Sequence, residues 1–208
     1  MVKRCGMGKK FGLALLLTIV IGLALYVVAI LNIKVHIVRI PQMVEFTNQY
    51  DPDAYMCFPA AYTSTDGKIL GEYRIDGKTH GTKNFKERIS LHPTKGLIIS
   101  RKWCADNGFQ QHVLVTDRTA RKFKDKRKCY RRALCNAKAG TNTPLIIMSL
   151  YPMTLSEFAE ELSRHCDNAV NLDMGDFGYG WKGKIRYSLW AYYNRESQTN
   201  WICIDKAE

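Results

Sequence analysis

The chain has 208 residues, 46% of them apolar and 24% charged, with 31 Lys and Arg against 19 Asp and Glu. These values exclude a disordered, collagen-like or coiled-coil protein, and the length suits one domain. The formal charge of +12 is uneven: Lys3, Arg4, Lys9 and Lys10 open the chain, residues 118–132 carry nine more cations opposed only by Asp125, and the remainder balances, which excludes a uniformly basic nucleic-acid binder.

In chain order, residues 11–31 come first: 21 residues without a charge, with Thr18 alone polar. As a helix they reach roughly 30 Å, the thickness of a bilayer's hydrocarbon core. This predicts a single transmembrane helix acting as an uncleaved signal anchor. A secretory signal peptide is the competing reading, but its apolar stretch is usually about 7–15 residues. The positive-inside rule makes residues 1–10 a cytoplasmic tail and puts the rest in a periplasmic or extracellular space. The expected partner through 11–31 is the lipid bilayer, and no nucleic acid is reachable. Residues 32–50 read as a stalk or first strand broken by Pro41, and 51–208 as the outer domain.

Beyond Cys5 lie six cysteines, Cys57, Cys104, Cys129, Cys135, Cys166 and Cys203. An even number in an exported domain permits disulfides, with fifteen possible pairings; the plain alternative is that several are small buried apolar residues. Cys129 and Cys135 share a face of an extended strand and do not easily bond each other. No Cys-x-x-Cys occurs, and His80, His92, His112 and His165 are scattered, so no metal and no cofactor is expected.

The outer domain has short apolar runs. They predict strands at 54–62, 69–75, 96–102, 109–116, 130–137, 143–150, 169–172, 184–193 and 200–205. Asp76-Gly77 is a hairpin signal, and Asn107-Gly108 is read as another turn. One helix is predicted over 154–166: Thr154 and Glu157 form a capping box, and Leu155, Phe158, Ala159, Leu162 and Cys166 make one apolar stripe. Strand, helix and strand form a βαβ-like unit. The expected class is therefore α+β, a mixed and mostly antiparallel sheet with one βαβ-like unit, preceded by a transmembrane helix. The basic run 118–132 reads as a solvated loop between strands, or as a surface for phosphorylated polymers or anionic head groups.

The stretch after the helix carries the chemistry. A short buried strand ends in Asn171 and Asp173 at alternate positions, so both project to one face. Gly175, Asp176, Gly178 and Gly180 follow, with Phe177, Tyr179 and Trp181 among them. Carboxylates and an amide at a strand's C-terminal end suit a binding site, glycines permit close approach, and aromatic rings offer flat surfaces to sugars. The bland reading leaves Asp173 and Asp176 as turn caps and Trp181 as core.

The runs Met153-Thr154-Leu155-Ser156-Glu157-Phe158-Ala159 and Ala169-Val170-Asn171-Leu172-Asp173-Met174-Gly175-Asp176 resemble the C-terminal signature of the phosphodiester glycosidase domain family, a T-L-x-E-x-A helix followed by A-x-N-L-D-G-G-G-S. Cys57-Phe58-Pro59-Ala60-Ala61-Tyr62 with Asp66-Gly67, Gly71 and Asp76-Gly77 resembles its earlier N-G-G-F-F and D-G blocks. Arg132-Ala133 lies where the family carries R-T-A, and Phe109-Gln110-Gln111-His112 is similar to a block of bacterial relatives. The similarity spans about residues 55–180. The chain departs from it at Met174 and Asp176 in the glycine triplet, and at the early Asn.

The resemblance implies hydrolysis of a sugar–phosphate diester in envelope or host glycans. In that reading Asp173 and Asp176 are the catalytic acid and base, for two close carboxylates push one pKa upward. Arg132 would hold phosphate oxygens in a fork, and Asn171, Gly175, His112 and Trp181 would bind substrate. The alternatives are a non-catalytic glycan- or phosphate-binding module in the same cleft, and a structural envelope protein that docks a partner through its basic loop.

Overall fold

The computed structural model describes residues 18–23, 34–40, 44–49, 51, 53–64, 66–92, 95–138, 144–173, 179–182, 185–188 and 200–204. The chain divides into two compact units, Met1–Lys34 and Val35–Glu208. In the first, residues 18–23 are helical. All the named strands belong to the second.

Strands of two to seven residues, cut by turn formers, give three antiparallel sheets. The first holds β1 (Val35–Arg39), β9 (Val113–Thr116), β10 (Thr119–Ala120), β11 (Arg132–Ala137), β12 (Pro144–Ser149) and β13 (Cys166–Leu172), in the order β1-β12-β11-β13-β9-β10. The second contains β2 (Val44–Thr47), β3 (Met56–Pro59), β14 (Tyr179–Lys182), β15 (Ile185–Ser188) and β16 (Trp201–Ile204), ordered β15-β14-β3-β16-β2. In the third are β4 (Tyr73–Ile75), β5 (Lys78–His80), β6 (Arg88–His92), β7 (Gly96–Ser100) and β8 (Asn107–Phe109), ordered β5-β4-β8-β6-β7.

One core is shared by all three sheets: Phe46, Phe58 and Ile202 meet Ile89, Leu91 and Phe109, and both groups meet Leu134, Ile146 and Val170. The other face of the first sheet carries Ala133, Cys135, Ile147 and Ala169. It is covered by α1 (Leu155–Leu162), whose Leu155, Phe158, Ala159 and Leu162 are buried. The predicted capping box forms: Thr154 Oγ1 accepts from the Glu157 N–H at 3.1 Å, and Glu157 Oε2 accepts from the Thr154 N–H at 2.8 Å. The carboxylate bound in this way has a lowered pKa, through the backbone and hydroxyl of Thr154 first. The hairpin at Asp76-Gly77 also forms, with both residues at positive φ (49° and 75°) as a primed turn requires.

Two adjacent-strand disulfides tie the sheets. Cys57–Cys203 links β3 to β16 across a chain separation of 146 residues, and Cys135–Cys166 links β11 to β13 across 31. Loop-closure entropy assigns them about 5 and about 4 kcal/mol. Cys104 and Cys129 are free thiols.

The α+β expectation is corrected. Among the described residues each strand pair is antiparallel, and the fold is mostly β, with one eight-residue helix in the second unit. The strands that flank α1, β12 and β13, do run in the same direction. They do not pair, because β11 lies between them and is antiparallel to both. Among the described residues the sheet therefore has no parallel ladder and is not mixed. The transmembrane helix is corrected as well. Among the described residues no helix is long and apolar enough to cross a membrane; the helical residues 18–23 account for only about 9 Å of rise, and 11–17 and 24–31 lie outside the described residues.

Candidate functional site

Asn171 and Asp173 end β13 beside β9 and β11. Register fixes which way each neighbour faces. Asn171 pairs with Ala133 and Cys135 with Ala169, all on the α1 face, whereas Arg132 pairs with Leu172 and Leu134 with Val170 on the core face. Arg132 is fully buried, its guanidinium carbon 4.7 Å from the centroid of the Phe58 ring. The structure thus brings Asn171 and Asp173 to one strand end and does not bring Arg132 to their face.

Arg131, one residue earlier, lies beside Tyr62 and His112 instead. Its Nε donates to Met153 O at 3.0 Å and its Nη2 to Arg127 O at 2.9 Å, which leaves Nη1 without a partner among the described residues. Its charge acts on both Tyr62 and His112. The signal was present in the sequence: a three-residue R-T-A stretch aligned on Ala133 puts its arginine at Arg131.

Tyr62 is the second missed residue. It follows β3, where Asn200 fixes the chain: Asn200 Oδ1 accepts from the Ala61 N–H at 2.6 Å, and its Nδ2 donates to Ala61 O at 3.1 Å. The Asp173 N–H donates to Ala60 O at 2.8 Å, joining β13 to the same segment. Asn171 Nδ2 then donates to Tyr62 Oη at 2.8 Å and to Leu172 O at 2.9 Å. Because the phenol oxygen accepts this bond, its own proton is directed elsewhere. Burial pushes the Tyr62 pKa up to about 12; Arg131 opposes the rise and Asp173 adds to it. Thr63 Oγ1 stands 3.4 Å from Asp173 Oδ2.

His112 sits within a ring of aromatics. Tyr62, Phe85 and Phe123 each meet it edge to face, at centroid distances of 5.9, 5.1 and 5.6 Å. Burial first, then Arg131, lowers its pKa, so the imidazole is neutral at neutral pH. Its carbonyl accepts from the Asn171 N–H at 2.9 Å. Asn171 Oδ1 and Gln111 Nε2 are buried without hydrogen-bond partners among the described residues. A buried acceptor and a buried donor of this kind are open to an ordered water or a bound polar group.

A pocket of about 850 Å³ lies next along the chain. Ser64 and Asn84 line it, the neighbours of Thr63 and Phe85, together with Asp66, Lys68, Tyr73 and Lys83. Ser64 and Lys68 both bond Asp66 and hold its carboxyl down at about 2. Gly81 is at positive φ, and a Cβ there would lie 2.4 Å from Gly71 O, so this rim requires glycine.

Gly175 and Asp176 lie outside the described residues. Trp181 is in β14, its backbone paired with Cys57. The basic run 118–132 is partly neutralised: Arg118 pairs with Asp167, Arg121 with Glu87, Arg127 with Asp125 and Lys128 with Glu157, at 2.6, 3.0, 2.7 and 3.5 Å. No group of three or more His, Cys, Asp or Glu suited to a metal ion occurs among the described residues.

Comparison with protein families gives no match, and neither does comparison with curated proteins. Solved structures do match. The catalytic domain of zebrafish N-acetylglucosamine-1-phosphodiester alpha-N-acetylglucosaminidase, auto-inhibited by its pro-peptide, aligns with a TM-score of 0.57 at 14% identity, over 84% of this chain and 73% of that one. A hypothetical protein from Synechocystis aligns with a TM-score of 0.47 at 11% identity, over 83% of this chain and 57% of that one. The chain is thus similar in fold, at low identity, to a phosphodiester glycosidase catalytic domain.

Proposed function

We propose that this protein hydrolyses a sugar-1-phosphate diester at the site built by Tyr62, Arg131, Asn171 and Asp173. The observation that carries the reading is that a carboxylate, a phenol held protonated, a buried amide and a guanidinium belong to one strand end of a fold shared with a phosphodiester glycosidase domain. Asp173 accepts a proton from water as its oxygen bonds to the anomeric carbon, and the bond from that carbon to the bridging oxygen breaks. The products are the free sugar and a phosphate monoester. Arg131 Nη1 and the Tyr62 hydroxyl donate to the departing phosphate, whose charge grows in the transition state. Asn171 fixes Tyr62 and offers Oδ1 to a sugar hydroxyl. The aromatic wall around His112 accepts a sugar face. In this reading the domain works in an oxidising, extracytoplasmic compartment, which its two disulfides support.

The test is release of free sugar from a panel of sugar-1-phosphate diesters, N-acetylglucosamine included, by wild type and Asp173→Asn. The expected result is turnover that the variant lacks. Binding without turnover in either protein would overturn the hydrolase and favour a non-catalytic glycan-binding module.

A further inference from the structure

A second, chemically different pocket lies at the other end of the first sheet. Ladder pairs order the two ends: Arg132 aligns with Leu172 near the site above, and Ala137 aligns with Cys166 at the far end of β11. Five residues of strand separate them, about 17 Å at the usual rise. The far pocket has a volume of about 510 Å³ and is lined by Arg39, Lys138, Arg164 and His165, with Ile37 and Leu145 as apolar members.

The charges come from three elements. Arg39 ends β1 opposite Leu145. Lys138 follows β11, its N–H donating to His165 O at 2.9 Å. Arg164 and His165 form the turn between α1 and β13. The facing negative group is Glu161, bonded to Arg164 at 3.0 Å and to His165 at 3.5 Å. The carbonyl end of α1 adds a partial negative charge beside it. Arg39 and Lys138 have no acidic partner among the described residues, although Lys138 is half-buried. His165 aside, the pocket holds three cations, Arg39, Lys138 and Arg164, against the one carboxylate of Glu161.

We propose that this pocket is a binding site for a phosphate dianion, as inorganic phosphate or as the terminal group of a phosphate monoester. Arg39 and Lys138 supply the charge that no acid among the described residues answers. Arg164, oriented by Glu161, offers its remaining N–H groups. Ile37 and Leu145 leave an apolar floor beside the phosphoryl position, which a sugar or other organic substituent can cover. The proposal stands independently of the hydrolase reading, because none of its residues belongs to the first site.

The test is calorimetric titration of the full chain at low salt, with inorganic phosphate in one arm and a sugar 6-phosphate in the other. Wild type should bind both ligands. Arg39→Ala/Lys138→Ala should weaken binding about tenfold for each cation removed. Arg39→Glu changes only an exposed side chain and should abolish binding while the thermal midpoint holds. Equal binding by wild type and the double variant overturns the proposal. So does no phosphate binding by wild type, and so does a loss confined to Arg131→Gln, which moves the anion to the other site.

Discussion

Asn171 donates its side-chain amide to the Tyr62 hydroxyl at 2.8 Å, and through this bond β13 orients a residue 109 positions earlier. The phenol accepts, so its proton is free to meet a ligand. Tyr62→Phe keeps the ring among Phe85 and His112 and removes both roles. Turnover of a sugar-1-phosphate diester should fall about 10²–10³-fold, the usual loss for one oxyanion-type donor. Leaving one of the two Asn171 Nδ2 hydrogens unanswered should lower unfolding free energy by about 1–3 kcal/mol; steady-state kinetics and a denaturant titration read the two effects.

The same phenol gives a pH prediction. Its folded pKa of about 12 lies above the ordinary value of 10.0. For an acid that is neutral when protonated, the folded state favours the protonated form. The stability contribution is complete below the unfolded value and is lost as pH climbs from about 10 through about 12. A spectroscopic phenolate titration should show one late tyrosine, absent in Tyr62→Phe.

Asp173 is half-buried, and its backbone N–H to Ala60 O survives any change of side chain. Asp173→Asn should therefore abolish activity, with a loss of about 10²–10⁴ in turnover, at nearly unchanged thermal midpoint. Retained turnover in this variant would falsify the general-base role.

Arg131 and Arg132 should separate cleanly. Arg131→Lys keeps a charge but loses the fork to Met153 O and Arg127 O, and turnover should drop with the fold intact, as read by kinetics beside circular dichroism. Arg132→Ala removes a fully buried side chain packed on Phe58 and should cost about 3–5 kcal/mol of stability. Reversed outcomes would return the substrate role to Arg132.

The helix cap offers a control remote from any ligand. Thr154→Ala should cost about 1 kcal/mol. The Glu157 carboxylate has its pKa lowered from 4.5 by the Thr154 backbone and hydroxyl. A depressed acid contributes above its unfolded value and loses that contribution as pH falls through the folded one. Glu157→Gln should flatten this acid limb in a stability-against-pH series.

Local chemistry was legible where the signal is short-range. The Thr154/Glu157 box and the Asp76-Gly77 hairpin follow from residue type alone, and they form as expected. Asn107-Gly108 looks like a turn and is strand, because β8 runs between β4 and β6 and Gly108 lets Ile89 O approach to 2.2 Å from where a Cβ would lie. The turn of the β9–β10 hairpin falls at Asp117-Arg118, without a glycine; Arg118 is held at positive φ by bonds to the Asp167 carbonyl and carboxylate. Such a partner, 49 residues away, leaves no local trace. The choice between Arg131 and Arg132 needs strand register, since a shift of one residue exchanges the faces of a sheet. The antiparallel insertion of β11 between β12 and β13 is a fact of topology, invisible to periodicity. The basic run showed its charges and Asp125 but hid the acids from other elements, Asp167, Glu87 and Glu157, that answer three of them.

Cys203 and Asn200 lie late in the chain, yet both act on its early part: one is bonded to Cys57, and the other grips Ala61 just ahead of Tyr62. During synthesis every proposed catalytic group therefore emerges before the strand that seats Tyr62. In the proposed reading, a chain cut before residue 200 would contain the whole chemical inventory and still be inert, so competence arrives with β16.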